Sequence, residues 1–247
     1  MVRRGIFVAP FEELSEPRLV AELAARAEAR GWDGFFVWDH VAYRKPVRAL
    51  ADPWVTLSAV AMATERVIIG PLVTPLARRR PHQLARETVT LDRLSGGRLV
   101  LGVGAGSERT EEFDPARFGE EGDMRARAVL LDDGLERLQA YWGGEFEPRP
   151  VNGRIPVWVA ARWPNRRPLR RAARWDGLFP IDLPGPEALA ELAAEVAALR
   201  GPGRYDFVAE VPTSTDPAPW IEAGATWCLT GFGIQPTADE VRAAIDA

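Results

Sequence analysis

Cysteine is almost missing from these 247 residues: Cys228 stands alone, which excludes an internal disulfide framework, a thiolate metal site and a redox-active CxxC pair. A reducing compartment, the cytoplasm, is the expected location. Histidine is nearly as scarce. His40 and His82 are the only two, too few for the clustered imidazoles of a metal-dependent hydrolase, so no metal is expected. Lysine occurs once, as Lys45 in a loop, which removes Schiff-base aldolase chemistry. A glycosidase would need paired carboxylates, and Asp39 with Glu108 or Asp182 is a forced choice. Neither sign of charge dominates, since 31 Lys and Arg stand against 35 Asp and Glu for a net −4. Such a chain has no basic field to hold a nucleic-acid backbone. No apolar run approaches the roughly 18 residues that cross a bilayer. The opening MVRRGIFVAP breaks at Pro10 before Glu12 and Glu13, so it lacks the apolar middle of a signal peptide.

What is present is a regular alternation. Short β-branched and aromatic runs begin at residues 5, 34, 67, 99, 155, 177, 206 and 225, a mean spacing of about 31. Helical signals follow each of them. Leu19, Val20, Leu23, Ala24 and Ala27 share a face before Gly31, and prolines open Pro53 to Ala63, Pro81 to Leu94 and Pro186 to Leu199. A long amphipathic helix is expected from Asp123 to Trp142, an Arg-rich helix up to Trp175, and a last one behind the capping-box spacing of Thr237 and Glu240. Each interval holds a βα crossover and none holds a second domain. Near-continuous apolar strands imply a sheet covered on both faces, so the expected fold is one (β/α)8 TIM barrel over residues 1–247. An open doubly wound sheet is the alternative. The longest interval, between the fourth and fifth strands, contains a polar stretch from Ser107 to Gly122. That stretch is either a mobile loop over the barrel mouth or a surface decoration.

Barrel chemistry sits where strands run into the loops after them. At those eight places stand Asp39 and His40, Thr74, Gly104 to Glu108, Ala160 to Arg162, then Asp182, Thr213, Ser214, Thr230 and Gly231. One imidazole, bare glycines, arginines and many aromatics suit a flat aromatic ligand carrying a phosphate. His40, ending an apolar strand, is the candidate acid or hydrogen-bond donor, against the plainer reading of a surface histidine. His82 reads as structural. GVGAGS, from Gly102 to Ser107, lacks the third glycine of a dinucleotide loop; Gly104 and Gly106 would admit either a ring or a tight turn. A helix start near Pro168 could receive a phosphate, with Arg162, Arg166 or Arg167 as clamp.

Four segments, GWDGFFVWDH, ERVIIGPLVTPLARRRPHQLARETVTLDRLSGGRLVLGVGAG, RRAARWDGLFP and EAGATWCLTGF, together resemble the luciferase-like flavin-dependent oxidoreductases in order and spacing. The resemblance runs through essentially the whole chain. It implies a (β/α)8 barrel that binds reduced FMN or the deazaflavin coenzyme F-420 at its mouth and acts on a small organic substrate by monooxygenation or hydride transfer. It also implies a homodimer and, for FMN, a separate flavin reductase as supplier. A non-catalytic flavin carrier on the same barrel is the alternative. By position, His40 is the catalytic candidate, and Asp39 matches its neighbour beside the reactive ring. Leu72, Val73 and Thr74 match a bulge that often holds a non-proline cis peptide. Gly104, Ala105 and Gly106 match the loop passing the cofactor. Ala160 and Ala161 stand where many members have a glycine pair before the phosphate-binding helix, beside the clamp candidates Arg162 and Arg166. Ser107 replaces a carboxylate that one sugar-phosphate dehydrogenase branch uses as acid, which departs from that branch's substrate; Glu108, one residue on, would turn its side chain elsewhere. Trp38, Trp54, Trp158 and Phe179 suggest either an apolar lining for a hydrophobic organic substrate or the filling of the barrel core.

Overall fold

The computed structural model describes residues 2–108 and 110–247, and within them each of the eight expected strands is present. The strands are β1 (Arg3–Val8), β2 (Gly34–Val37), β3 (Ile68–Pro71), β4 (Thr74–Pro75), β5 (Leu101–Gly104), β6 (Val157–Arg162), β7 (Gly177–Ile181), β8 (Asp206–Pro212) and β9 (Trp227–Gly231). Nine segments make eight barrel strands because β3 and β4 are two halves of one. The break between them is the cis peptide Leu72–Val73. All strand pairs are parallel, in the order β3-β2-β1-β9-β8-β7-β6-β5-β4. A parallel bridge from Ile69 to Leu99 closes the ring. The barrel, not the open sheet, is therefore the fold.

The helices follow the proline and capping signals closely. They are α1 (Pro17–Ala29), α2 (Pro53–Ala63), α3 (Pro81–Leu94), α4 (Pro115–Phe118), α5 (Met124–Ala140), α6 (Leu169–Ala172), α7 (Pro186–Leu199), α8 (Ala218–Glu222) and α9 (Ala238–Asp246). Asp52 caps α2 through the amides of Trp54 and Val55, and Thr237 with Glu240 completes the capping box of α9. The Arg-rich helix departs from expectation. It is a single turn, α6, which opens behind Pro168 and ends as the chain turns out at Trp175. No helix among the described residues is long and apolar enough to cross a membrane.

Strand alternation separates two apolar bodies. Side chains on the outer face, such as Ile6, Phe35, Leu101 and Val159, pack against the helices. Those on the inner face, Phe7, Phe36, Leu72, Val100, Trp158, Phe179, Val208, Trp227 and Leu229, fill the barrel. Three of them interlock, with Trp158 to Trp227 at 5.4 Å, Phe36 to Trp158 at 5.4 Å and Phe36 to Trp227 at 5.6 Å between ring centroids. Trp158 and Phe179 are thus plugs of the core and not pocket lining, since they are 1% and 2% exposed. Any ligand must sit above this plug, at the carboxyl ends of the strands.

Candidate active site

The mouth is built first from the end of β2. Asp39 follows Trp38 onto the helix side and is wholly buried, where its carboxylate meets four donors. Thr74 Oγ1 donates at 2.8 Å, Arg78 Nη2 at 2.6 Å, Arg79 Nη2 at 3.1 Å to each oxygen, and Trp54 Nε1 at 3.3 Å. Burial pushes the Asp39 carboxyl upward, but Arg78, Arg79 and Thr74 outweigh it and hold the group below its ordinary value. An ionised anchor results, locking the end of β2 to β4 and to the residues just before α3.

His40 rests on this anchor from the mouth side. Its ring contacts Phe11, Trp38 and Tyr43, with centroids 5.9, 5.8 and 5.0 Å away. Its Nδ1 lies 2.9 Å from Oε2 of Glu112, and the amide of Val41 donates to Oε1 of the same carboxylate at 2.7 Å. Glu112 is fully buried. Burial raises its proton affinity, yet His40, Arg78 and the Val41 amide overcome this and hold the carboxyl below its ordinary range. An ionised carboxylate only accepts, so Nδ1 carries the proton and Nε2 is left as the ring nitrogen that can exchange one with a ligand. No described residue bonds Nε2.

Glu112 belongs to the stretch from Ser107 to Gly122, which packs down through the buried Glu112 and Phe113 of a short turn at Glu111–Phe113, while α4 is exposed. Arg109 of that stretch lies outside the described residues. Thr110 adds a 3.1 Å bond to Glu112. Arg78, only 4% exposed, stands between the two carboxylates, 2.6 Å from Asp39 and 3.8 Å from Glu112. These ionic members were not found from sequence, although ARRR directly after the third strand was a visible signal for Arg78 and Arg79. Glu112 gives no comparable signal, because 72 residues separate it from His40.

The glycines have a more specific job than either expectation. A Cβ on Gly106, whose φ is +81°, would lie 2.1 Å from the Phe113 ring, and one on Gly104 would lie 2.9 Å from Val73 Cγ1. Their bareness therefore seats the 107–122 stretch and the Leu72–Val73 bulge. Ala105 is partly buried against the outer core. Ala160 faces the barrel axis, while Ala161 is 2% exposed and turned to the helices. Arg162 is ion-paired with Asp182. Arg166 stacks 4.2 Å over Trp163 and bonds Glu191 at 2.7 Å and Glu195 at 3.2 Å on α7. The structure so brings together Trp38, Asp39, His40, Leu72, Val73, Thr74 and Gly104, whereas Arg166 is engaged with a neighbouring helix. His82, in the first turn of α3, lines an open surface groove of about 400 Å³ with Gln83, Arg86, Glu87 and Phe146.

Residues 4–219 match the family model described as luciferase-like monooxygenase. The chain belongs to this family, and its class is that of an oxidoreductase. Among curated relatives, an F420-dependent glucose-6-phosphate dehydrogenase of Beutenbergia cavernae is 32% identical over 258 residues, covering 92% of this chain and 73% of the relative. A solved F420-dependent secondary alcohol dehydrogenase, in complex with an F420-acetone adduct, superposes with a TM-score of 0.80. It covers 99% of this chain and 96% of its own at 18% identity, so it speaks for the fold. The FMN complex of a type II Baeyer-Villiger monooxygenase from Pseudomonas putida superposes at 0.66, with 18% identity, 87% of this chain and 69% of its own.

Proposed function

We propose that this oxidoreductase holds a reduced deazaflavin at the barrel mouth and uses it for hydride transfer with a small organic substrate. The carrying observation is the imidazole of His40, oriented through Nδ1 by a buried carboxylate and open at Nε2. The F420-dependent relative at 32% identity supports deazaflavin over FMN.

The residues present fit the ring end of such a group. Val73, Trp38 and Ala160 are partly buried, apolar and grouped around the top of the filled core, and Gly104 lets Val73 sit against β5. Asp39 and Thr74 act from behind as supports and not as direct contacts, because both are fully buried. A phosphate at Arg162 or Arg166 would compete with their carboxylate partners, Asp182 and the two glutamates of α7. When bound, a reduced deazaflavin supplies a hydride. This chain orients that ring, keeps water from its lower face with the aromatic plug, and delivers or takes a proton at His40 Nε2.

Purified protein titrated with reduced deazaflavin, and separately with reduced FMN, tests the reading by visible absorption. Saturable deazaflavin binding with substrate-dependent reoxidation is the expected result. Saturable binding of reduced FMN and not of deazaflavin, with substrate oxygenation, would overturn the deazaflavin choice, and a separate flavin reductase would then be the required partner. Binding of either without turnover would favour the carrier. Val55 and Met62 of α2, 64% and 73% exposed, support a second copy of the chain as partner, which analytical ultracentrifugation reads directly.

A further inference from the structure

Glu210 is an ionisable group of the mouth that nothing so far has used. Glu210 stands on β8 two residues after Val208, which belongs to the inner core, and opposite Leu229, which does too. Period-two alternation therefore aims its side chain into the barrel. The carboxyl extends to the level of Gly231, where a Cβ would come within 2.3 Å of Oε1. The glycine at the end of β9 is thus a cleared space for this carboxyl, on the rim above the plug. No described residue donates a hydrogen bond to it. The charged group facing it is Asp182 at the end of β7, itself paired with Arg162 of β6; its β9 neighbours are Leu229 and Gly231. Burial first, and Asp182 second, push the proton affinity of Glu210 above that of an ordinary glutamate.

A half-buried carboxyl turned among apolar side chains, with no protein donor, holds its proton more readily than a free one and can give it to an acceptor. We infer that Glu210 is the group that recognises the substrate oxygen, donating a hydrogen bond from its neutral carboxyl to a carbonyl or alcohol oxygen. The substrate class is then an uncharged oxygenated organic molecule, and anionic substrates such as sugar phosphates or carboxylates are repelled as rising pH ionises Glu210 beside Asp182. Calling that ligand the reaction's substrate rests on the oxidoreductase reading above; the binding itself does not.

The test uses protein carrying ¹³C-carboxyl glutamate, with Glu210 assigned by the signal missing from Glu210→Gln. The expected midpoint lies above the ordinary glutamate range, and cyclohexanone, added as probe, moves the resonance while cyclohexanecarboxylate does not. Binding of cyclohexanone should weaken about tenfold in Glu210→Leu, the effect of leaving one oxygen without its donor. Glu210→Gln, a donor without charge, should keep the ketone at every pH at which the protein is folded and gain affinity for the carboxylate. An ordinary midpoint, or equal ketone binding by wild type and the Leu variant, would overturn the inference. Deazaflavin binding measured on the same samples separates the two failures. A bound deazaflavin with an unmoved resonance defeats Glu210 alone, and a moved resonance without deazaflavin binding defeats the proposed function alone.

Discussion

The two sides of the barrel mouth are built on opposite electrostatic plans. Around β2, β4 and the 107–122 stretch, the two fully buried carboxylates are matched: Asp39 by Arg78 and Arg79, and Glu112 by His40 and Arg78. Around β8 and β9, the carboxyl of Glu210 faces bare backbone at Gly231. The matched side is spent on holding an imidazole still, whereas the unmatched side has bonding capacity left for a ligand. A buried network that is fully satisfied rigidifies, and a group left over is where recognition can occur.

Removing the matched side's centre should give the largest effect. Asp39→Ala leaves two arginines without their main counter-charge and should cost about 3–5 kcal/mol of stability, read by urea unfolding. A loss below about 1 kcal/mol would show that the two sides do not differ as described. His40→Ala should then lower turnover roughly 100-fold with little change in cofactor affinity, measured by steady-state kinetics beside absorption titration. Gly106→Ala forces a side chain against Phe113 at positive φ and should cost about 1–3 kcal/mol. The loss should appear as faster proteolysis within residues 107–122. Glu112→Gln keeps the shape but not the charge that holds Nδ1–H, and should lower kcat about tenfold, shift the pH profile and leave KM nearly unchanged.

Acid separates the sides by sign. Asp39 and Glu112 hold their protons less tightly in the fold than in the unfolded chain, so their stabilisation is present above the ordinary carboxylate range and lost as pH falls through their folded values. Glu210 is the reverse. Its folded form binds the proton more tightly, so its charging opposes the fold as pH rises from the ordinary range through its raised value. Glu210→Gln should therefore raise the melting temperature slightly near neutral pH and not at pH 4, whereas Glu112→Gln should do neither.

Much of the barrel was legible because its signals are local. Proline at residues 53, 81 and 186 sets helix starts, Thr237 with Glu240 writes a cap into four residues, and the apolar runs mark strands within two or three positions. His40 was legible for the same reason, as the polar residue ending such a run. The single-turn α6 was not, since its arginines are good helix formers and only the surrounding fold shows where the chain must leave.

Alternation and capping act over a few residues, and they determined the eight βα units and the place of His40 at a strand end, whereas closure into a barrel and not an open sheet was decided by the Ile69–Leu99 bridge. The partners were decided only when the ring closed. That Glu112 would reach His40, that Gly106 would make room for Phe113, and that Glu210 would find a cleared space and no donor are facts about segments far apart in the chain. Nothing in a local pattern encodes which buried charge meets which, because that depends on strand register and on loops folding back over the rim.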